Sequence, residues 1–403
     1  MIYERLYQMV NFKKIVIFGA GKIGRSFIGQ VFSRSEYEVI FVDINRQLIE
    51  LLNRQQQYKV VIKEGGNDRT LLIRHVRGIC LDDTEQVIAE LTDAGIVSLS
   101  VGQQGLQATI PILAQALISR RQKYGDLPLD IIIAENMRNA DSFIREELKK
   151  WLPEDYELDR WVGLVETSIG KMVPIMTQKD IEEDPLQVFA EPYNALIVAK
   201  NGFRNPLPEV SFLEPKEHIK AWVDRKLFIH NLGHATAAYL GYQTYPKAVY
   251  IWEVLEKDEI YRATRQTMLQ AADILQALYP DEFTLSQLEE HIDDLLRRFM
   301  NKSLGDTLFR VGCDLYRKLG AEDRLAAPVQ AAIRRGKPYH LILEAIQAGI
   351  SFRAQDEKGN YLPSDAAFFE EAKKGTPYIL ENVCKLYLQG SLLEVNEHFG
   401  DGM

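Results

Sequence analysis

The chain has few of the features that mark disulfide-rich, membrane or secreted proteins. Its 403 residues include only three cysteines, which lie far apart with no CxxC or Cys/His grouping. This pattern argues against a disulfide framework and a thiolate zinc site, so we expect no metal. No run approaches the roughly 18 apolar residues that a membrane span needs. Residues 1–10 also lack the basic start and apolar run of a signal peptide. We therefore expect a cytoplasmic protein without a membrane partner.

Charge and composition narrow the class of protein further. Lys and Arg total 48 against 57 Asp and Glu, which gives a net charge of −9. This acidic balance argues against a nucleic-acid or anionic-membrane surface, so any anionic ligand must be bound by local groups. Hydrophobic residues make up 46% of the chain, which is typical of a folded protein. Because a single core seldom grows past roughly 250 to 300 residues, we expect two domains, in a monomer or a small homo-oligomer.

Short apolar runs alternate with helical stretches in the first half of the chain. These runs predict strands at residues 14–18, 39–42, 59–62, 71–76, 96–101 and 131–134, and a later strand-like stretch at 186–198. The alternation predicts an α/β fold with a doubly wound parallel sheet. Amphipathic helices are expected in the second half at 215–240, 258–278, 285–299 and 366–388. A cluster of prolines near residue 208 places the boundary, giving a sheet domain of residues 1–208 and a helical domain of residues 209–403.

A glycine motif follows the first predicted strand. Residues 19–24 are Gly-Ala-Gly-Lys-Ile-Gly, the GxGxxG pattern, which is weak evidence by itself. Here it follows a strand, opens a helix, and is followed 19 residues after Gly24 by Asp43 at the end of the next strand. This context favours a Rossmann-type NAD-binding turn over an ordinary strand-to-helix turn. The residues expected to contact the dinucleotide are Gly19, Ala20, Gly21, Ile23, Gly24, Asp43 and Val101.

The carboxylate of Asp43 predicts which dinucleotide is bound. At the end of the second strand it would accept hydrogen bonds from the adenosine ribose and repel an added 2′-phosphate, which favours NAD over NADP. Arg46, three residues later, is the main reservation, because an arginine there could pair with that phosphate.

A polar stripe marks the predicted helix at 215–240. At 100° per residue, His230 lies about 40° from Lys226, His234 about 80° and Asn231 about 140°, so one sector of the helix carries all four. A solvated helix face is the alternative interpretation. The apolar and small residues around the stripe favour burial instead, and a buried lysine has a lowered pKa that suits a proton acceptor.

Four segments together resemble the mannitol dehydrogenase family of polyol-specific long-chain dehydrogenases and reductases. They are residues 18–27 (FGAGKIGRSF), 134–139 (AENMRN), 226–241 with K-x4-N-x2-H spacing, and 310–328 (RVGCDLYRKLGAEDRLAAP). The resemblance implies a Rossmann domain, a mostly helical C-terminal domain and a zinc-free site for a small-molecule polyol or polyol phosphate. It also implies that Lys226 is the general base, that Asn231 and Asn136 stabilise the oxyanion, and that His234 orients the reacting oxygen. Loop capping is the alternative for Asn136, which follows a predicted strand.

The sequence departs from the family where an Asp-Arg pair is usual. Gly170 and Lys171 stand there instead, which removes a carboxylate acceptor for a sugar hydroxyl and replaces a bidentate fork with a point charge. Residues 310–328 resemble the phosphate-specific branch of the family, so the expected reaction is the interconversion of mannitol 1-phosphate and fructose 6-phosphate. The cations expected to bind substrate are Lys171, Arg310 and Lys318. The last two would lie about 80° apart if they share a helix; an exposed basic face is the alternative.

Two other functions remain open at this level. A related enzyme with a Rossmann domain, a helical domain and a catalytic lysine could act on a sugar acid, and it would need an arginine to bind the carboxylate. A non-catalytic NAD-binding sensor would bind the dinucleotide but would have no use for a polar stripe around Lys226.

Overall fold

The computed structural model of the chain describes residues 10–387, and contacts within the chain divide it into two compact units between Val223 and Asp224. The first unit is built on an eight-stranded sheet with the order β11-β10-β8-β7-β6-β1-β2-β5. Its strands are β1 (Asn11–Phe18), β2 (Glu38–Asp43), β5 (Val76–Cys80), β6 (Ala94–Leu99), β7 (Leu129–Ile133), β8 (Val162–Ser168), β10 (Leu196–Ala199) and β11 (Leu213–Lys216). The strands from β8 to β5 pair in parallel, as the alternating pattern predicts.

Helices cover both faces of this sheet. After the glycine motif, a π-helical turn (Gly24–Gly29) runs into α1 (Gln30–Ser33). The remaining helices of the unit are α2 (Arg46–Gln55), α3 (Thr84–Thr92), α4 (Gly102–Tyr124), α5 (Ala140–Lys149), α6 (Leu158–Trp161) and α7 (Gln178–Glu183), with a 3-10 turn at Lys200–Gly202. The chain then enters α8 (Ile219–Arg225). Alternate residues of β1 enter separate clusters, with Ile15 and Ile17 in one, and Val16 and Phe18 in the other. Because each strand is buried on two faces, its sequence is a continuous apolar run.

Two predicted strands do not belong to the parallel sheet. Residues 59–62 and 71–76 contribute to β3 (Gln57–Ile62) and β4 (Arg69–Arg74), which pair antiparallel as a hairpin. With β9 (Val188–Ala190) they form a separate three-stranded sheet. The prediction that they belong to the parallel sheet was wrong. A short apolar run indicates a partly buried strand, but it does not identify the strand with which it pairs.

The second unit is helical in the part that the structure describes. A π-helical turn (Lys226–Asn231) leads into α9 (Leu232–Thr244). The other helices are α10 (Ile251–Leu255), α11 (Asp258–Leu278), α12 (Leu285–Phe299), α13 (Leu308–Gly312), α14 (Leu315–Lys318), α15 (Ala326–Arg335), α16 (His340–Ile350), α17 (Pro363–Ala372) and α18 (Thr376–Asn382), with a 3-10 turn at Lys302–Leu304.

The predicted helices at 258–278 and 285–299 are confirmed as α11 and α12, and α12 begins with a capping box between Thr284 and Gln287. The predicted helix at 366–388 is divided between α17 and α18 by Gly375, which has a φ of +98°. Its last residue, Leu388, lies outside the described residues. Between residues 10 and 387, no helix combines the length and apolar character needed to cross a bilayer.

The division between the units falls 15 residues later than the predicted boundary after Pro208. The prolines at 206 and 208 mark a loop inside the first unit, because the chain returns through Leu213–Lys216 to pair in parallel with β10. Prolines interrupt regular structure wherever it occurs, so they do not distinguish a loop within a domain from a linker between domains.

Candidate active site

The glycine turn after β1 has the backbone geometry that the motif predicts. Gly19 has a φ of +94°, and its amide donates to the Val42 carbonyl at 2.8 Å. A Cβ added to Gly24 would lie 1.9 Å from the Gly19 oxygen, so the turn closes only with glycine there. A Cβ added to Gly21 would meet nothing within 4 Å, so this backbone faces open space. The side chain of Ile23 packs against the core beneath the turn. These features fit a turn that a pyrophosphate can approach closely.

Asp43 holds this turn as well as facing the predicted ribose position. One carboxylate oxygen accepts from the Ala20 amide at 2.7 Å, and the other accepts from the Asn45 amide at 2.9 Å. The reservation about Arg46 is weakened, because its guanidinium lies 3.8 Å from Asp82 and 3.7 Å from Asp83. The carboxylate is thus anchored to the turn, whereas the arginine is directed toward other acids.

A residue that the sequence analysis missed follows Asp43. Ile44 is 77% exposed, whereas the strand residues before Asp43 are buried. It lies at the carboxyl end of a parallel strand, which is the edge where open α/β sheets bind their ligands. The signal in the sequence was an isoleucine directly after a buried strand. A sequence pattern does not show, however, that this side chain is exposed rather than buried with the strand.

Asn136 lies exposed in the loop after β7, at the carboxyl end of the strand. The loop is held by its neighbours, because Glu135 accepts from the amides of Val101 at 2.8 Å and Gly102 at 3.0 Å. Glu166 accepts from the Ala140 amide at 3.3 Å where α5 begins. Burial raises the pKa values of Glu135 and Glu166, partly offset by these amides. Two acidic side chains therefore hold backbone amides at Val101, Gly102 and Ala140, around the loop that carries Asn136.

The helical wheel drawn for Lys226 was wrong in its angles. The segment Lys226–Asn231 is π-helical rather than α-helical. In a π-turn the backbone hydrogen bond joins residue i to residue i+5, so a residue five positions on is brought closer to the same face. Asn231 is the fifth residue after Lys226, and the turn therefore groups the two more tightly than 140° on an α-helix. His230 lies in the same turn and is buried.

Lys226 has the electrostatics of a proton acceptor. The residue as a whole is partly accessible, but burial of its amine lowers its pKa to about 8. The positive charge of Arg324 lowers this pKa further, whereas Asp323 opposes the shift. Arg324 is itself buried and donates from Nε to Asp323 at 2.8 Å. A fraction of the Lys226 amines is therefore neutral near pH 8, which is the form that accepts a proton.

His234 lies one turn beyond Asn231, against an aromatic ring and an acid. Its ring stacks on Phe299 with centroids 4.4 Å apart and planes 5° from parallel. Its Nε2 lies 3.3 Å from Oδ2 of Asp306. Burial lowers the pKa of His234, although Asp306 acts in the opposite direction, and burial lowers that of His230 well below its ordinary value. Both imidazoles are therefore held mainly neutral.

Arg310 and Lys318 do not share a helix as predicted. The chain leaves α13 at Cys313 and passes through Asp314, with a φ of +72°, before α14 begins. The Lys318 side chain is buried, and its Nζ donates to the Val311 carbonyl at 2.7 Å and the Arg310 carbonyl at 3.4 Å. Burial lowers the pKa of Lys318 to about 8. The Arg310 side chain is 48% exposed and contacts Asp306. The prediction that one helix carries both cations was wrong, because Asp314 divides residues 310–318 between two helices, and their contact with a substrate stays a prediction.

Lys171 is also engaged within its own unit. Its amine donates to the carbonyls of Tyr193 at 2.8 Å and Glu191 at 3.2 Å, and to Oδ1 of Asn194 at 2.9 Å. The residue is only 6% exposed. These contacts favour a structural role, although its role toward a substrate stays a prediction.

The sequence analysis also missed Asp306 and Arg324. Both are buried and both contact or influence predicted catalytic residues. A lone Asp or Arg in a helical region usually lies on a solvated face, so no pattern distinguished them. Within residues 10–387, no group of three or more His, Cys, Asp or Glu side chains is arranged to hold a metal ion.

Comparison with known proteins adds a family and a set of relatives. A family model described as the mannitol dehydrogenase Rossmann domain matches residues 13–211, and the mannitol dehydrogenase C-terminal domain matches residues 218–399. The mannitol-1-phosphate 5-dehydrogenase of Halalkalibacterium halodurans is 32% identical, over 86% of this chain and 90% of its own length. That of Bacillus velezensis is 32% identical, over 93% of this chain and 96% of its own length.

Solved structures show the same fold at lower identity. A D-sorbitol dehydrogenase in substrate-free form aligns with a TM-score of 0.73 at 18% identity, covering 91% of this chain and 87% of that one. The Pseudomonas fluorescens mannitol 2-dehydrogenase, in a ternary complex with NAD and D-mannitol, aligns with a TM-score of 0.67 at 16% identity, covering 90% and 84%.

The charge arrangement around Lys226 predicts the effect of removing Arg324. Arg324→Leu should raise the pKa of Lys226 above about 8, because it removes a nearby positive charge and keeps the Asp323 carboxylate, which acts in the opposite direction. Competitive acetylation across a pH series, read by peptide mass spectrometry, measures the pKa of this one amine. Arg334→Leu, at an exposed position on α15, is the matched control and should leave it unchanged. An unchanged or lowered Lys226 pKa in Arg324→Leu would contradict the assignment.

Proposed function

The chain belongs to the mannitol dehydrogenase family, and from this premise we propose that it catalyses the NAD-dependent interconversion of mannitol 1-phosphate and fructose 6-phosphate. The observation that supports this chemistry is the π-helical turn, which begins at Lys226 and ends at Asn231. The amine of Lys226 has a lowered pKa. The substrate rests on the relatives, because two mannitol-1-phosphate 5-dehydrogenases are each 32% identical over most of this chain.

The glycine turn fits a dinucleotide. Open space above Gly21 admits a pyrophosphate, and the close approach at Gly24 lets the following helix begin directly at the turn. Asp43 is placed to accept from the adenosine ribose while holding the Ala20 amide. Val101 is fixed by Glu135 at the carboxyl end of β6. When bound, NAD supplies the hydride acceptor for oxidation of the polyol.

The protein's own groups handle the proton and the oxygen. In the oxidation direction the neutral amine of Lys226 accepts the proton of the reacting hydroxyl, which its lowered pKa permits near pH 8. Asn231 and Asn136 each carry an amide N–H₂ that can donate to the oxygen as negative charge develops on it. His234, held against Phe299, orients that oxygen. In reduction the same residues act in reverse, and Lys226 returns the proton.

Arg310 is the best placed of the predicted substrate cations to bind a phosphate. Its side chain is about half exposed, whereas Lys171 and Lys318 direct their amines to acceptors inside the protein. A guanidinium has five N–H donors, so a contact with Asp306 leaves others for a phosphate. We assign the phosphate to Arg310 first, and Lys171 and Lys318 to the support of neighbouring backbone.

Cofactor preference tests the role of Asp43. We expect a higher kcat/KM with NADH than with NADPH, because the Asp43 carboxylate would face the 2′-phosphate with like charge. Asp43→Ser should narrow that preference, whereas Arg46→Ala should leave it in place, since Arg46 is directed toward Asp82 and Asp83. A wild-type preference for NADPH, abolished by Arg46→Ala, would reverse the assignment.

The pH dependence of polyol oxidation tests the general base. The neutral amine is the active form, so wild-type kcat should rise with pH through an apparent pKa near 8. Lys226→Ala should lose that rise together with most activity, and Asn231→Ala should lose about 100- to 1,000-fold in kcat with NAD binding intact. Lys220→Ala removes an exposed lysine of α8 and is the control. Near-normal kcat and an unchanged profile in Lys226→Ala would rule out the general-base role.

Phosphate recognition makes a separate demand on specificity. The kcat/KM for fructose 6-phosphate should exceed that for fructose by several hundred-fold or more, because fructose lacks the phosphate that forms charge-assisted hydrogen bonds with Arg310. Arg310→Leu should lower kcat/KM for fructose 6-phosphate much more than for fructose. Steady-state NADH consumption with fructose 6-phosphate, fructose, tagaturonate and fructuronate measures both effects. Equal activity on fructose, or a preference for either uronate, would overturn the phosphate assignment.

A further inference from the structure

Asp306 occupies a fixed position in the second unit beside two residues of the proposed site. Its backbone carbonyl accepts from the Ile251 amide at 2.9 Å, and the next residues pair with the chain before α10, where the Leu308 amide donates to Val249 at 2.8 Å. The side chain is only 3% exposed. A buried carboxylate on a braced backbone has little freedom to turn away from its neighbours.

The two carboxylate oxygens of Asp306 face different partners. One contacts the guanidinium of Arg310. The other, Oδ2, lies 3.3 Å from Nε2 of His234, yet the pair is not aligned as a hydrogen bond, and neither atom has a hydrogen-bond partner among the described residues. Since a buried polar atom without a partner is costly, a small rotation that aligns these two atoms is favourable.

We propose that Asp306 is a positioning residue, which orients His234 through Nε2 and Arg310 through its guanidinium. One carboxylate thereby places both the imidazole that orients the reacting oxygen and the cation that binds the phosphate. The inference rests on the proposed function. A carboxylate that accepts from one imidazole nitrogen fixes the tautomer and the ring orientation, and it stabilises the protonated ring.

The surroundings of His234 support a specific role for this carboxylate. The nearby cationic groups, Arg310 and Arg324, lower the pKa of the imidazole, and His230 lies 6.4 Å away between ring centroids. Asp306 is the group that acts in the opposite direction, against burial and both arginines. Phe299 fixes the plane of the His234 ring, so Asp306 sets which nitrogen carries the proton.

A double-mutant cycle tests the coupling through His234. Asp306→Asn keeps the size of the side chain and removes its charge, and it should lower kcat for the preferred ketose by about 10- to 100-fold. If Asp306 acts through His234, adding Asp306→Asn to His234→Gln should lower kcat by less than about threefold further. Raised KM for fructose 6-phosphate, with a smaller effect on fructose, would report the contact with Arg310.

Asp130→Asn is the matched control. Asp130 is 1% exposed and accepts hydrogen bonds from residues 204 and 205 within the first unit. Its effect on kcat should be the same in the wild-type and His234→Gln backgrounds. Equal effects of Asp306→Asn in those two backgrounds would show an ordinary structural role and overturn the proposal.

A titration without substrate tests the same contact independently of activity. In protein labelled at histidine, the NMR signal of His234 is assigned from its loss in His234→Gln. Asp306→Asn should move the His234 pKa to lower pH by at least about one pH unit, whereas Asp130→Asn should not move it. An unmoved His234 pKa would overturn the proposal whatever the enzyme acts on. Absence of turnover with all four ketoses would instead defeat the proposed function and leave this readout intact.

Discussion

The second unit depends on one constraint, which is that each ionisable group buried among its packed helices must have its charge offset or be held in its neutral form. Lys226 shows the second outcome, since burial lowers the pKa of its amine to about 8. Arg324 shows the first, since it is buried against Asp323. Lys318 shows both, with a lowered pKa and an amine bound to the carbonyls at the end of α13. The same desolvation that makes these groups costly gives Lys226 a proton affinity suited to general-base chemistry.

The backbone of the site departs from regular geometry where the chemistry is placed. A π-turn is a less common helical form and is often retained at functional sites. Here it spans Lys226–Asn231 and ends where α9 begins. The extra residue in the turn brings the amine and the amide toward one face, which a regular α-helix would leave about 140° apart. The irregularity and the pairing of functional groups therefore have one cause.

Sequence patterns predicted the parts of the molecule that repeat. The parallel strands follow from apolar runs, and α11 and α12 have the bounds that their apolar stripes predict. The patterns failed where one residue changes the chain's direction, as at Asp314, whose positive φ separates α13 from α14. They also failed for Asp306, because burial of a lone acid depends on contacts with Val249–Ile251 that no local pattern encodes. Motif spacing predicted the candidate residues of the site, whereas the charges around them became visible only in three dimensions.

The substitution of the family's usual Asp-Arg pair by Gly170 and Lys171 now has a structural consequence. The Lys171 amine donates to the carbonyls of residues 191 and 193, so it stabilises a loop of the first unit. Residues 170 and 171 therefore offer neither a carboxylate nor an exposed amine. Of the three predicted substrate cations, Arg310 alone keeps an exposed side chain. If a phosphate is the distinguishing group of the substrate, one guanidinium held by Asp306 can recognise it, and the missing pair is no longer needed for that contact.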